Sequence, residues 1–243
     1  PAGGRTRARN TGAAEACGRW IAFIDSDCEP EPDWARELLA AIRAQEARSN
    51  RPGAVAGMIR DSTSESVVVQ YLTRRRWFDQ RKYLERSGLE PFAPRFALTA
   101  NLAVHRATYL ELGGLDPELM HAVEDAEFCL RLADAGRPLD AAEGAIVVHH
   151  HRADVPGLWR QAVDWGAGQA EMFAKWHARW GRRMWIEPRH HVWALKGLLK
   201  TPWRLVCGRT PFERMEPWLD CVANAGLAWG RLTTGLRKRR IVI

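Results

Sequence analysis

Two regimes of hydrophobic patterning divide this chain. Up to about residue 150, short apolar runs of strand length alternate with segments of helical period. Beyond it only helical spacing remains. Trp20-Ile-Ala-Phe-Ile24 is rich in β-branched and aromatic side chains and predicts a buried strand. A short helix over 11–17 precedes it, with Gly18 as its C-cap. Asp33 predicts an N-cap for a helix over 34–47, with Glu37 near its start and Arg43 and Arg48 near its end. Residues 54–59 read as a second strand, and 66–86 as one long helix carrying Arg74-Arg75-Arg76. Residues 96–105 are strand-like, and 106–112 are helical as far as Gly113-Gly114. A helix over 124–135 puts Phe128 and Leu132 on one face and stops at Gly136. A short strand, 145–148, runs into His149-His150-His151. Residues 158–180 form a long amphipathic helix through Leu158, Ala162, Trp165, Phe173 and Trp176. Pro188, Pro202, Pro211 and Pro217 are read as breaks between the helical segments that follow.

Where the first strand ends, Asp25-Ser26-Asp27 places two carboxylates one residue apart. In open α/β sheets, ligands bind beyond the carboxyl ends of strands. Two carboxylates there suit a divalent cation that also holds a phosphate, because Mg²⁺ and Mn²⁺ prefer oxygen ligands. The competing reading is a solvated turn.

Composition narrows the classes. Of 243 residues, 46% are hydrophobic and 27% charged, which permits a sizeable core and excludes general disorder. Cys17, Cys28, Cys129, Cys207 and Cys221 form no C-x-x-C pair, against a disulfide framework or zinc site and in favour of a reducing cytosol. Charge is uneven: residues 152–243 hold 17 Lys+Arg against 7 Asp+Glu, and nine of the twelve tryptophans. Such a segment can mark a membrane surface or a nucleic-acid face, or be a helical extension with Trp in its core and Arg on its wet side. Residues 1–151 are net acidic and carry no RNA- or DNA-binding motif, so nucleic acid is not an expected partner. No apolar run reaches the ~18 residues of a transmembrane helix.

Several motifs then fall in one order: Ala8-Arg9-Asn10-Thr11-Gly12, Asp25-Ser26-Asp27, Thr99-Ala100-Asn101-Leu102, Gly113-Gly114-Leu115-Asp116, Glu124-Asp125-Ala126-Glu127, and the histidine cluster. That order resembles family 2 of the glycosyltransferases over about residues 3–170. The resemblance implies an α/β, Rossmann-like glycosyltransferase-A fold. The family's first strands have no counterpart here, so the expectation is an N-terminally truncated fold. Expected domains are a partial catalytic domain, 1–155, and a helical, basic, Trp-rich extension, 156–243.

The resemblance further implies inverting transfer of a sugar from a nucleotide-diphosphate donor to a hydroxyl acceptor, with cell-envelope or lipid-linked glycans as the acceptor class. Asp27, and less directly Asp25, match positions that hold Mg²⁺ or Mn²⁺ against the diphosphate. Asp125 matches the general base, and Arg9 and Asn10 the loop beside the nucleoside. Asn101 matches the sugar pocket, with Glu124 beside the acceptor. His149 is the first choice for a further metal ligand and His151 the second. Glu127 and Arg131, four apart, are expected to pair at the surface. The expected location is the cytoplasm, peripheral at the inner face of the membrane. The alternative reading is an inactive fragment acting as a membrane-surface or partner-binding module.

Overall fold

The computed structural model describes residues 4–86, 95–179, 181, 184–185, 188–239 and 241–242. The chain folds as two units. The first comprises residues 1–62, 78–120 and 124–150; the second comprises 63–77, 121–123 and 151–243.

The first unit is built on a mixed five-stranded sheet. Its strands are β1 (Trp20–Ile24), β2 (Cys28–Pro30), β3 (Ala54–Asp61), β4 (Asn101–His105) and β5 (Leu139–His149), in the order β1-β4-β3-β5-β2. Only β3 and β5 pair in parallel; the other three pairings are antiparallel. The expected α/β fold with a helical C-terminal extension is therefore present. Among the described residues β1 pairs with β4 alone, and its pleat buries Ile21 and Phe23 and exposes Ala22. The strand read as buried is thus buried at alternate positions. β3 and β5 lose register between Gly57 and Met58, whose partners are Ala142 and Ile146.

Helices cover this sheet. α1 spans Gly4–Glu15, α2 Trp34–Arg48, α4 Gln80–Leu84, α5 Arg106–Glu111 and α6 Glu124–Asp134. Leu38 and Ile42 of α2 pack on Val55, Ala103, Ala142 and Ala145. Tyr109 lies between Phe23 and Phe128, with ring centroids 5.5 and 5.2 Å away. Burying one such aromatic stabilises by ~1.5–3 kcal/mol.

Several boundaries differ from expectation. α1 begins at Gly4, so the Arg-rich segment expected as a loop is helical, and Gly18 is no left-handed cap. Asp33 makes no capping hydrogen bond; its carboxylate pairs with Arg36 at 2.7 Å. The long helix expected over 66–86 is two: α3 (Val67–Arg74), in the second unit, and α4. Arg76 between them has φ +54°, and Asp79 starts α4 by accepting from the Arg81 and Lys82 amides. Gly113, Gly114 and Gly136 take positive φ, as their places after helices predict.

The second unit comprises α3, α7 (Val155–Trp176), α8 (Pro188–Cys207) and α9 (Pro211–Arg237), with α3, α7 and α8 each packed on α9. Val68, Tyr71, Leu72, Leu158, Phe212 and Leu219 share one core. Arg75 grips Asp220 through two nitrogens at 2.9 and 2.6 Å. Pro188 and Pro211 do open helices, but Pro202 and Pro217 lie inside α8 and α9. Packing there overrides the local cost of a proline.

α7 and α9 approach through glycine. The Leu227 carbonyl stands where a Cβ on Gly166 would go, and the Val163 carbonyl stands where one on Gly230 would go. Gly230→Ala is therefore expected to destabilise by about 1–3 kcal/mol through overpacking. Gly12, exposed inside α1 with open space around it, should behave oppositely: Gly12→Ala gains about 0.5–1 kcal/mol. Urea denaturation of the two variants reads both signs.

Candidate active site

β1 delivers Asp25 and Asp27 to the end of the sheet, and the chain then folds back as β2 against the last residues of β5. Cys28 lies opposite His149 in that antiparallel pair. The Cys28 amide bonds the Asp25 carbonyl at 3.0 Å, and the His150 amide bonds the Asp27 carbonyl at 2.8 Å. This backbone pinning makes the Asp25–Asp27 turn a defined structure, although the Asp27 side chain is about half exposed.

Ligand atoms of Asp27, Cys28 and His149 lie within 4.8 Å of one another. The Asp27 Oδ1 to His149 Nε2 distance is 3.7 Å. His149 is buried and stacks on Phe78 with centroids 4.3 Å apart, which fixes the plane of its ring. Burial first, then Asp27 and Asp25, pushes the Cys28 thiol up to about 12, so it carries its proton at neutral pH. Mg²⁺ and Mn²⁺ favour oxygen and imidazole donors over sulfur, which leaves Asp27 and His149 as the stronger donors. A carboxylate with an imidazole fits a divalent cation, and the imidazole suits Mn²⁺ better than Mg²⁺.

Asp25 is engaged differently. The Arg9 guanidinium bridges it to Glu124, with a 2.7 Å contact on the Glu124 side. Arg5 adds a second cation to Glu124 at 3.2 Å. Among the described residues, the metal-competent cluster contains His149 and neither Asp25 nor His151. Cys28 is the member that sequence reasoning missed. Its only signal was adjacency to Asp27; its pairing with His149 depends on a strand contact between distant residues.

Glu124 and Asp125 open α6, and both are buried. Asp125 accepts from the Ala126 amide at 2.8 Å and the Thr99 amide at 3.4 Å. Burial, and then the neighbouring Glu124, raises its carboxyl to about 7, with the two amides and Arg9 opposing. A carboxylate poised there can take a proton at neutral pH.

Two further candidates, Asn10 and Asn101, are hydrogen-bonded within the fold. Asn10 donates to the Leu115 carbonyl at 2.7 Å and accepts from the Tyr109 hydroxyl at 2.6 Å and the Leu115 amide at 3.0 Å. Asn101 is fully buried. Its amide nitrogen bonds the Met58 and Ala145 carbonyls, both at 2.8 Å, and its oxygen accepts from the Trp34 indole at 2.9 Å. Those carbonyls flank the place where β3 and β5 lose register. Asn101 thus supplies hydrogen bonds that the broken ladder lacks, reaching them over Gly57, which has no side chain to block it.

The Glu127–Arg131 pair forms at 2.7 Å, but Glu127 is wholly buried instead of at the surface. Arg131 also donates to the carbonyls of Leu112 and Gly114. The pair therefore clamps the Gly113-Gly114 turn to α6.

Residues 1–99 match the family model Glycosyl transferase family 2. The chain is 29% identical over 167 residues to the pre-mycofactocin glycosyltransferases of Mycobacterium tuberculosis strains CDC 1551 and H37Rv; the match takes in 69% of this chain and 33% of each relative. It spans about a third of the length of these curated relatives. Among solved structures it is similar to a crystal structure of GalNAc-T7 with UDP, GalNAc and Mn²⁺, at TM-score 0.43 and 16% identity, over 98% of this chain and 41% of the other.

Proposed function

From the family 2 glycosyltransferase homology of residues 1–99, we propose that this chain moves a sugar from a nucleotide-diphosphate donor to a hydroxyl acceptor, with inversion at the anomeric carbon. The observation that carries this reading is the pairing of a carboxylate–imidazole cluster at Asp27 and His149 with a buried carboxyl at Asp125 held near neutrality. The first supports binding of the diphosphate, and the second supports a base for the acceptor. Residues 1–155 would then be the transferase portion and 156–243 an extension.

In this reading Asp27 and His149 would hold Mn²⁺, or less favourably Mg²⁺, and a bound cation supplies positive charge that stabilises a departing diphosphate. Asp125 takes the acceptor hydroxyl proton as that oxygen forms its bond to the anomeric carbon. The bond from that carbon to the diphosphate breaks, and the nucleotide leaves with the electron pair. Arg9 keeps Asp25 and Glu124 neutralised beside the reacting groups. Relatives named for glycosylating pre-mycofactocin leave the acceptor open; we assign it to the cell-envelope or lipid-linked glycans, met at the cytoplasmic face of the membrane.

Calorimetric titration of UDP, GDP and dTDP tests the donor site. Binding of one nucleotide is expected to strengthen at least about tenfold with Mn²⁺, and Asp27→Ala is expected to remove that gain. Equal affinity with and without Mn²⁺ in the folded chain would reject the cation site. Absence of binding by every nucleotide, beside retained binding to lipid, would favour the noncatalytic membrane module.

A further inference from the structure

Helix α8 is turned inside out. Of its residues, only Gly197 is fully buried. One stripe faces α9: a Cβ on Gly197 would meet the Pro217 carbonyl and the Cys221 amide, and His190 reaches Asn224 at 2.7 Å. At 100° per residue, the opposite stripe comprises Val192, Leu195, Leu199, Trp203 and Val206. A helix packed on a protein ordinarily shows charge there. These five are instead exposed by 45, 56, 70, 70 and 81%.

Charge decides what covers this stripe. Pro188–Cys207 contains Arg189, Lys196, Lys200 and Arg204 and no Asp or Glu. By helical angle, Arg189, Lys196 and Lys200 border one side of the apolar stripe. A large apolar face with tryptophan, edged by cations alone, matches the interface between acyl chains and anionic headgroups. No helix among the described residues is long and apolar enough to cross a membrane.

We propose that α8 lies in the plane of an anionic lipid bilayer, with Leu199, Trp203 and Val206 in the acyl boundary and Lys196 and Lys200 at the headgroups. This places the chain at a lipid surface through its own helix. The inference stands on α8 whether or not the transferase reading holds, because lipid binding and nucleotide binding are measured separately.

The test is flotation of the full chain with vesicles of phosphatidylcholine alone and of phosphatidylcholine mixed equally with phosphatidylglycerol. The chain should float with the anionic vesicles and much less with the neutral ones. Leu199→Glu/Trp203→Glu should weaken partitioning about tenfold or more. Lys196→Glu/Lys200→Glu should weaken it at low salt and flatten its salt dependence. Circular dichroism and melting check that the variants fold; Leu199 and Trp203 point away from α9, and Lys196 and Lys200 are exposed beside them. Should the apolar pair unfold the chain, brominated acyl chains should quench the wild type more than Trp203→Phe. The proposal is overturned if the wild type does not float with anionic vesicles at low salt, or if folded variants float equally. It is also overturned if light scattering finds a second copy of the chain covering the stripe, with no vesicle binding.

Discussion

Asp125→Asn is expected to lower sugar transfer by about 10²–10⁴-fold, the range for losing a general base, in a chain that remains folded. The amide keeps the shape of the carboxyl, but its single oxygen can accept from only one of the Thr99 and Ala126 amides, which bond different oxygens of the native carboxyl, and it cannot take a proton. The wild-type rate should climb as pH rises through about 7, where Asp125 ionises, and the residual rate of the variant should lack that step. Stability moves the other way. The folded carboxyl is raised from 3.8 to about 7, so between those values the native state binds more protons than the unfolded chain. Asp125 therefore costs stability progressively as pH rises through that window. The variant carries no such charge, so its stability should lack that fall with rising pH, while the hydrogen bond it loses costs it a constant amount at every pH. Rates across pH and urea melts at two pH values check both halves. An unchanged rate in folded Asp125→Asn would remove Asp125 from the chemistry.

Asn101→Ala is expected to cost about 3 kcal/mol or more. It strands the Met58 and Ala145 carbonyls and the Trp34 indole N–H, and each buried group left unsatisfied costs about 1–3 kcal/mol. Domains of this kind hold only about 5–15 kcal/mol in total, so the variant should melt far below wild type. Gly57→Ala should fail similarly, because its new Cβ falls on the Asn101 amide and the Ala145 carbonyl. Urea denaturation, with transfer assayed on the remaining folded fraction, separates roles. A large stability loss with normal activity per folded molecule assigns Asn101 to the frame. Unchanged stability with a raised KM would assign it to the sugar pocket.

How far the sequence reaches depends on how local each signal is. The apolar run ending in Asp25-Ser26-Asp27 announces β1 and its turn, because strand and carboxylates are neighbours in the chain. α6 is legible from Phe128, Leu132 and the Gly136 stop, as is the turn at Gly113-Gly114. α1 reads short, since Arg5, Arg7 and Arg9 give it no apolar face. The break at Arg76 has no glycine or proline to mark it. Pro202 and Pro217 read as breaks because the contacts that hold them in helices come from elsewhere in the chain. The same holds for the site. The carboxylates at 25, 27, 124 and 125 can be picked out one by one. That Arg9 spans two of them, that Cys28 meets His149, and that Asn101 serves a broken ladder all follow from pairings across many residues. Spacing four apart predicts the Glu127–Arg131 pair, but its burial depends on the turn it clamps.

That clamp has an energetic consequence. Gly113 and Gly114 are the residues whose ordering costs most conformational entropy, and an unbraced Gly-Gly connection would fluctuate independently of its surroundings. Here Arg131, backed by the buried Glu127, holds the carbonyls of Leu112 and Gly114, while Asn10 and Tyr109 hold the amide of Leu115. Releasing the turn would mean exposing a buried ion and undoing part of the aromatic core at once. The turn therefore opens with the core in one cooperative unit and not as a separate low-energy fluctuation, and the helix that presents Asp125 inherits the stillness of the interior.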